Sequence, residues 1–163
     1  MRRVLRSTIF GAVLAAVASA LAPSMASAEA VKIAYIDPLS GGFANIGNAG
    51  LAHYRYMAEK LNAAKALPDG LTYEIVPFDN KVNAAESLTV LQSAIDQGIR
   101  FIVQGNGSSV AHALLDATNK YNKLNSRKEL LFLNYAAIHP ALTNTNCSSW
   151  HLRLDPNEDT TPP

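Results

Sequence analysis

The 163-residue sequence predicts an α/β fold, a doubly wound open parallel sheet, on three observations. Short β-rich runs alternate with segments of helical periodicity. The runs are apolar on both faces, as in Leu130-Leu131-Phe132-Leu133-Asn134, which suits strands covered by helices on either side. Polar segments come directly after three of the runs, at 37–46, 104–109 and 134–139. In an open parallel sheet these lie beyond the carboxyl ends of the strands, on one rim, where such sheets bind ligands.

The first 28 residues are set aside before any folding argument. Arg2, Arg3 and Arg6 make a positive start, and Ile9 to Leu21 is apolar but shorter than the roughly 20 residues a membrane span needs. Pro23 interrupts it and Ala26-Ser27-Ala28 is a small-residue cleavage site, so residues 1–28 are expected to be a secretory signal peptide, with no membrane insertion after cleavage. The remainder, 29–163, keeps 11 of the 14 basic residues against 13 acidic ones, a formal charge of −2. Its Lys and Arg residues are scattered and not interleaved with aromatics, which argues against a nucleic-acid partner.

The elements then come in order. Val31 to Ile36 is a β-rich run ended by Asp37-Pro38-Leu39-Ser40-Gly41-Gly42. Ala44 to Ala64 is helical, with Leu51, Tyr54, Ala58 and Leu61 at steps of three and four, and Pro68-Asp69-Gly70 breaks it. Leu71 to Val76 is the second strand, with Asp79 read as a turn residue beyond it. Asn83 opens the next helix with Glu86 three residues on, a capping box, and Leu88, Leu91, Ala94 and Ile95 form its inner stripe up to Gly98. Ile99 to Val103, Ser108 to about Leu124, and Leu130 to Asn134 complete the alternation.

Chemistry concentrates at Gln104-Gly105-Asn106-Gly107-Ser108-Ser109. The two glycines let the backbone turn and approach a ligand, Ser108 stands at the N-cap position, and the first N–H groups of the helix face outward with its dipole behind them. A carboxylate suits that position; a serine that only caps its own helix remains an open alternative from the residues alone. No dinucleotide or P-loop fingerprint is present, so no cofactor is expected. Ser108 or Ser109 with His112 could pair as nucleophile and base, but no nucleophile-elbow motif surrounds them. Asp37, Asp79 and Asp155 have a spacing that fixes no carboxylate site. A single cysteine, Cys147, and His53, His112, His139 and His151 without ligand spacing argue against a metal.

Three stretches, VKIAYIDPLSGGFANIGNAG, FDNKVNAAESLTVLQSAIDQGIRFIVQGNGSSV and AAIHPALTN, resemble the amino-terminal part of periplasmic solute-binding proteins of the branched-chain amino acid (leucine/isoleucine/valine-binding) type, which serve ABC importers. NCSSWHLRLDPNEDT is similar to members whose ligands include aromatic acids. The resemblance implies a type I periplasmic binding fold of two lobes closing on a small carboxylate, a permease as partner and the periplasm as location, with 29–163 an incomplete first lobe. It implies that Ser108 holds the carboxylate, with Gly107 and Ser109 beside it, and that the carbonyl of Ala136 helps bind an amino group. Phe43 is a further candidate in the first loop. Ile138 stands where the family has a threonine and Ile46 where it commonly has an aromatic, which points to a ligand not requiring an α-amino group. A non-functional remnant and an enzyme on a flavodoxin-like sheet are the competing expectations.

Overall fold

The computed structural model describes residues 29–160; the expected leader at 1–28 lies outside them. The strands are β1 (Ala30–Asp37), β2 (Thr72–Asp79), β3 (Phe101–Gln104), β4 (Leu131–Asn134) and β5 (His151–Arg153), and the helices are α1 (Ala44–Ala63), α2 (Ala84–Asp96) and α3 (Ser108–Leu124). All pairings are parallel, in the order β2-β1-β3-β4-β5. The doubly wound α/β sheet expected from the sequence is therefore present, with its reversal of strand order between β1 and β3.

Alternation along the strands sorts side chains to two faces. Ala34, Ile36, Ile102 and Phe132 pack with Leu91 and Ala94 of α2 and Val110, Ala111, Leu114 and Leu115 of α3. Tyr35 and Val103 point the other way, to Leu51 and Tyr54 of α1. α1 reaches only part of that second face. Phe101, Leu152 and Leu154 stay exposed beyond it.

Local chemistry sets the boundaries. The Asn83 side chain accepts from the Glu86 N–H at 3.0 Å, one half of the expected capping box, while the Asn83 N–H goes to Asn80 O instead of the Glu86 side chain, and Gly98 ends the α2 segment with φ +78°. Two asparagines tie helices to strands by using both ends of the carboxamide. Asn62 of α1 accepts from Tyr73 N–H at 2.7 Å and donates to Tyr73 O at 2.9 Å; Asn122 of α3 does the same to Leu130 at 2.7 and 2.9 Å.

Two expectations change. β2 runs on through Pro77 to Asp79, which an edge strand permits because a proline there has no ladder hydrogen bond to lose on its open side. β5 is an addition to the expected strands: it is three residues long, two of them His and Arg, and carries no β-rich run to announce it.

Candidate functional site

Three strand-end segments are drawn together around Asp37, which is fully buried at the end of β1. One carboxylate oxygen accepts from the Asn106 N–H at 3.0 Å, and the other accepts from the Tyr135 hydroxyl. That hydroxyl also receives a hydrogen bond from Asn106 Nδ2 at 3.1 Å and lies 3.0 Å from the Tyr35 hydroxyl, which donates to Gly47 O at 2.9 Å. The segments after β1, β3 and β4 thus meet in one polar hub. Tyr35, Tyr54 and Tyr135 close it, with ring centroids 5.5 to 6.3 Å apart.

Burial pushes the phenols of Tyr35 and Tyr135 far above the ordinary tyrosine range, and the charge of Asp37 adds to this for both. Tyr54 is raised for the same reasons. All three remain protonated, so Tyr135 is a standing donor to the carboxylate. Gly105 is needed for that contact: a Cβ there would lie 2.5 Å from Cζ of Tyr135. The role expected for Gly105, close approach of a ligand, is therefore corrected, since Tyr135 occupies the space.

The first loop is held separately. Asp79 accepts from Leu39 N–H at 2.9 Å, Ser40 Oγ at 2.5 Å and Lys81 N–H at 3.1 Å. Burial opposes its ionisation, but these hydrogen bonds outweigh that and hold its carboxyl below the usual range. Asp37 and Asp79 are register neighbours on β1 and β2, yet each serves its own loop. Asp79 is thus the last residue of β2 and not a residue of the turn beyond it, although its carboxylate braces that turn by accepting from Lys81 N–H.

At the start of α3 the cap is Gly107, with φ +95° and ψ +109°, and not Ser108. Ser108 is the first helical residue, half-buried, and makes no side-chain cap hydrogen bond; Ser109 is exposed. The correction has a physical cause: a positive φ at the cap favours glycine, which moves the serine one place inward. The first helical hydrogen bond runs from Ala111 N–H to Gly107 O at 3.0 Å, which leaves the N–H groups ahead of it as the free donors of this end.

Across the rim, Ala136 N–H is held by Asn134 Oδ1 at 3.2 Å, and no hydrogen bond among the described residues uses the Ala136 carbonyl. Ile138 is exposed, as are Phe43, at the cap of α1, and Ile46, which lies in the first turn of α1 and not in the loop before it. His112 contacts His139 and Asn146 rather than either serine, so no nucleophile–base pair forms among the described residues. Asp37, Asn106 and Tyr135 do not stand out as a unit in the sequence. The available signal is a carboxylate and a tyrosine placed directly after buried strands.

A periplasmic binding protein family model matches residues 30–162, nearly all of the chain beyond residue 28. The chain belongs to that family. Its curated relatives include the Leu/Ile/Val-binding protein homolog 4 of Brucella abortus, 36% identical over 132 residues, covering 81% of this chain and 32% of the relative. This periplasmic binding protein chain also overlays the leucine-, isoleucine-, valine-, threonine- and alanine-binding protein of Brucella ovis in its closed conformation. There the TM-score is 0.74 at 35% identity, over 80% of this chain and 33% of that one. A Rhodopseudomonas palustris solute-binding protein in complex with 4-hydroxybenzoate shares the fold, with a TM-score of 0.62 at 18% identity, over 79% of this chain and 32% of that one. The chain thus spans about a third of the length of these relatives.

Proposed function

We propose that residues 29–163, freed of a leader at 1–28, form the first lobe of a solute-binding protein that hands a small carboxylate-bearing molecule to an ABC permease from the periplasm. Family membership supports the class, and the open end of α3 carries the site assignment. Unengaged N–H groups at Ser108 and Ser109, a free Ser108 hydroxyl and the turn at Gly107 suit a carboxylate, held by charge-assisted hydrogen bonds. The Ala136 carbonyl supplies an acceptor opposite, and Phe43 and Ile138 supply apolar surface. No catalytic step is required of these groups.

Ligand class rests on the same residues. The Brucella ovis relative is named for aliphatic amino acids. Here Ile138 offers no hydroxyl to an ammonium group, so an aliphatic or aromatic acid without an α-amino group fits as well as, or better than, an amino acid. One lobe lacks the second surface that desolvates the ligand, so binding is expected no tighter than about millimolar, on the order of −4 kcal/mol.

Thermal melting of the chain against amino acids, aliphatic acids and aromatic acids tests this. At ten times its Kd, one carboxylate class stabilises by about 1.4 kcal/mol, a rise of a few degrees. Ser108→Ala is expected to abolish the rise while leaving the unliganded melt unchanged. A rise with no dependence on Ser108, or none with any carboxylate at concentrations up to about ten times millimolar, overturns the site assignment.

A further inference from the structure

His112 stands in the second turn of α3 and His139 comes directly after Ile138 in the segment beyond β4, 27 residues away in sequence. Their rings nonetheless meet, with His112 Nε2 3.2 Å from His139 Nδ1, centroids 5.1 Å apart and planes at 72°. The backbones beneath them are fixed independently of this contact. His112 sits within a helix, and the His139 carbonyl accepts from Arg153 at 3.2 Å, while Arg153 also donates to Thr143. The two imidazoles are therefore presented to one another by the fold.

We propose that His112 and His139 form a two-histidine site for a divalent transition-metal ion of the zinc or cobalt type, completed by water. Two nitrogens 3.2 Å apart, each about 2.05 Å from an ion, subtend about 100° at it, between octahedral and tetrahedral angles. Imidazole is the ligand type such ions favour. A hydrogen bond between rings that solvent reaches competes with water and contributes little by itself, whereas an ion would use a lone pair from each. His112 is half-buried and His139 exposed, so an ion can reach both. No cluster of three or more His, Cys, Asp or Glu side chains suited to a metal occurs among the described residues, so the protein supplies two ligands and solvent the rest. Asn146 lies 3.4 Å from the other His112 nitrogen, and with its amide oxygen turned toward that nitrogen it would accept the Nδ1 proton and leave the Nε2 lone pair for the ion. An ion here would join the first turns of α3 to the loop bearing Ala136 and Ile138.

The test is a titration of the untagged chain with Co²⁺, followed by its visible ligand-field absorption, with far-UV circular dichroism to confirm folding. One saturating equivalent is expected. His112→Asn and His139→Asn should each weaken it at least about tenfold. His53→Asn, at an exposed position of α1, and Cys147→Ser should leave it intact. Affinity should fall on acidification, because protons compete for the same lone pairs. Absence of saturable binding, persistence in both histidine variants, or loss in Cys147→Ser would overturn the site.

Discussion

Replacing Tyr135 by phenylalanine removes one oxygen from the middle of the hub. The Asp37 carboxylate, with no exposed surface, then loses one of its two donors, and Asn106 Nδ2 loses its acceptor. A hydrogen bond to a charged group contributes roughly 1.5–3 kcal/mol, and leaving a buried partner short costs a similar amount. The ring itself is retained, so packing against Tyr35, Tyr54 and Gly105 changes little. The expected loss is about 2–3 kcal/mol, or about 6–12 °C in Tm for a domain of this size. Urea denaturation of the variant, of Asp37→Asn and of the double variant supplies the cycle. The two single losses should not add, since Asp37→Asn removes the charge that strengthens the contact Tyr135→Phe deletes. A Tyr135→Phe variant within about 0.5 kcal/mol of the parent, the range of ordinary surface substitutions, would refute the claim that this hydroxyl holds the three segments together.

Gly105→Ala should cost about 1–3 kcal/mol by forcing its Cβ into the Tyr135 ring, and most of that penalty should vanish in a Tyr135→Ala background, measured by the same denaturation curves. Alkaline pH should destabilise the fold. The phenols of Tyr35, Tyr54 and Tyr135 are raised above their ordinary value of 10.0, so the folded state holds their protons more tightly than the unfolded chain. Their contribution is complete below pH 10 and lost as pH rises beyond it, and melts across that range should fall less steeply in Tyr135→Phe.

The layers are legible in the sequence because they rest on local patterns. Leu51 and Ala58, Leu91 and Ala94, and the apolar strand runs repeat at the spacings that faces demand, and Asn83 with Glu86 announces a helix start. The same spacings place the three polar segments on one rim. Long-range contacts are not legible. Asp37 and Tyr135 stand 98 residues apart, and nothing local tells that a tyrosine after β4 will fill the space over Gly105. The cap of α3 slips by one residue because serine and glycine both suit that position, and only the backbone angle decides between them. His112 and His139 each look solitary in the sequence for the same reason. β5 escapes because its pairing with β4, and not its composition, makes it a strand.

The two borders of the sheet bear on how this chain would fail if it misassembled. An incoming strand needs an uninterrupted row of donors and acceptors to zip onto an edge. Pro77 breaks that row on β2, and β5 offers only three residues. Among the described residues, neither border offers fibrous, edge-to-edge polymerisation a long uninterrupted template. The adhesive surface is instead the broadside around Phe101, Leu152 and Leu154, so clumping by that route would be face-on and amorphous, and dilution or mild denaturant would disperse it where a cross-β fibre would persist.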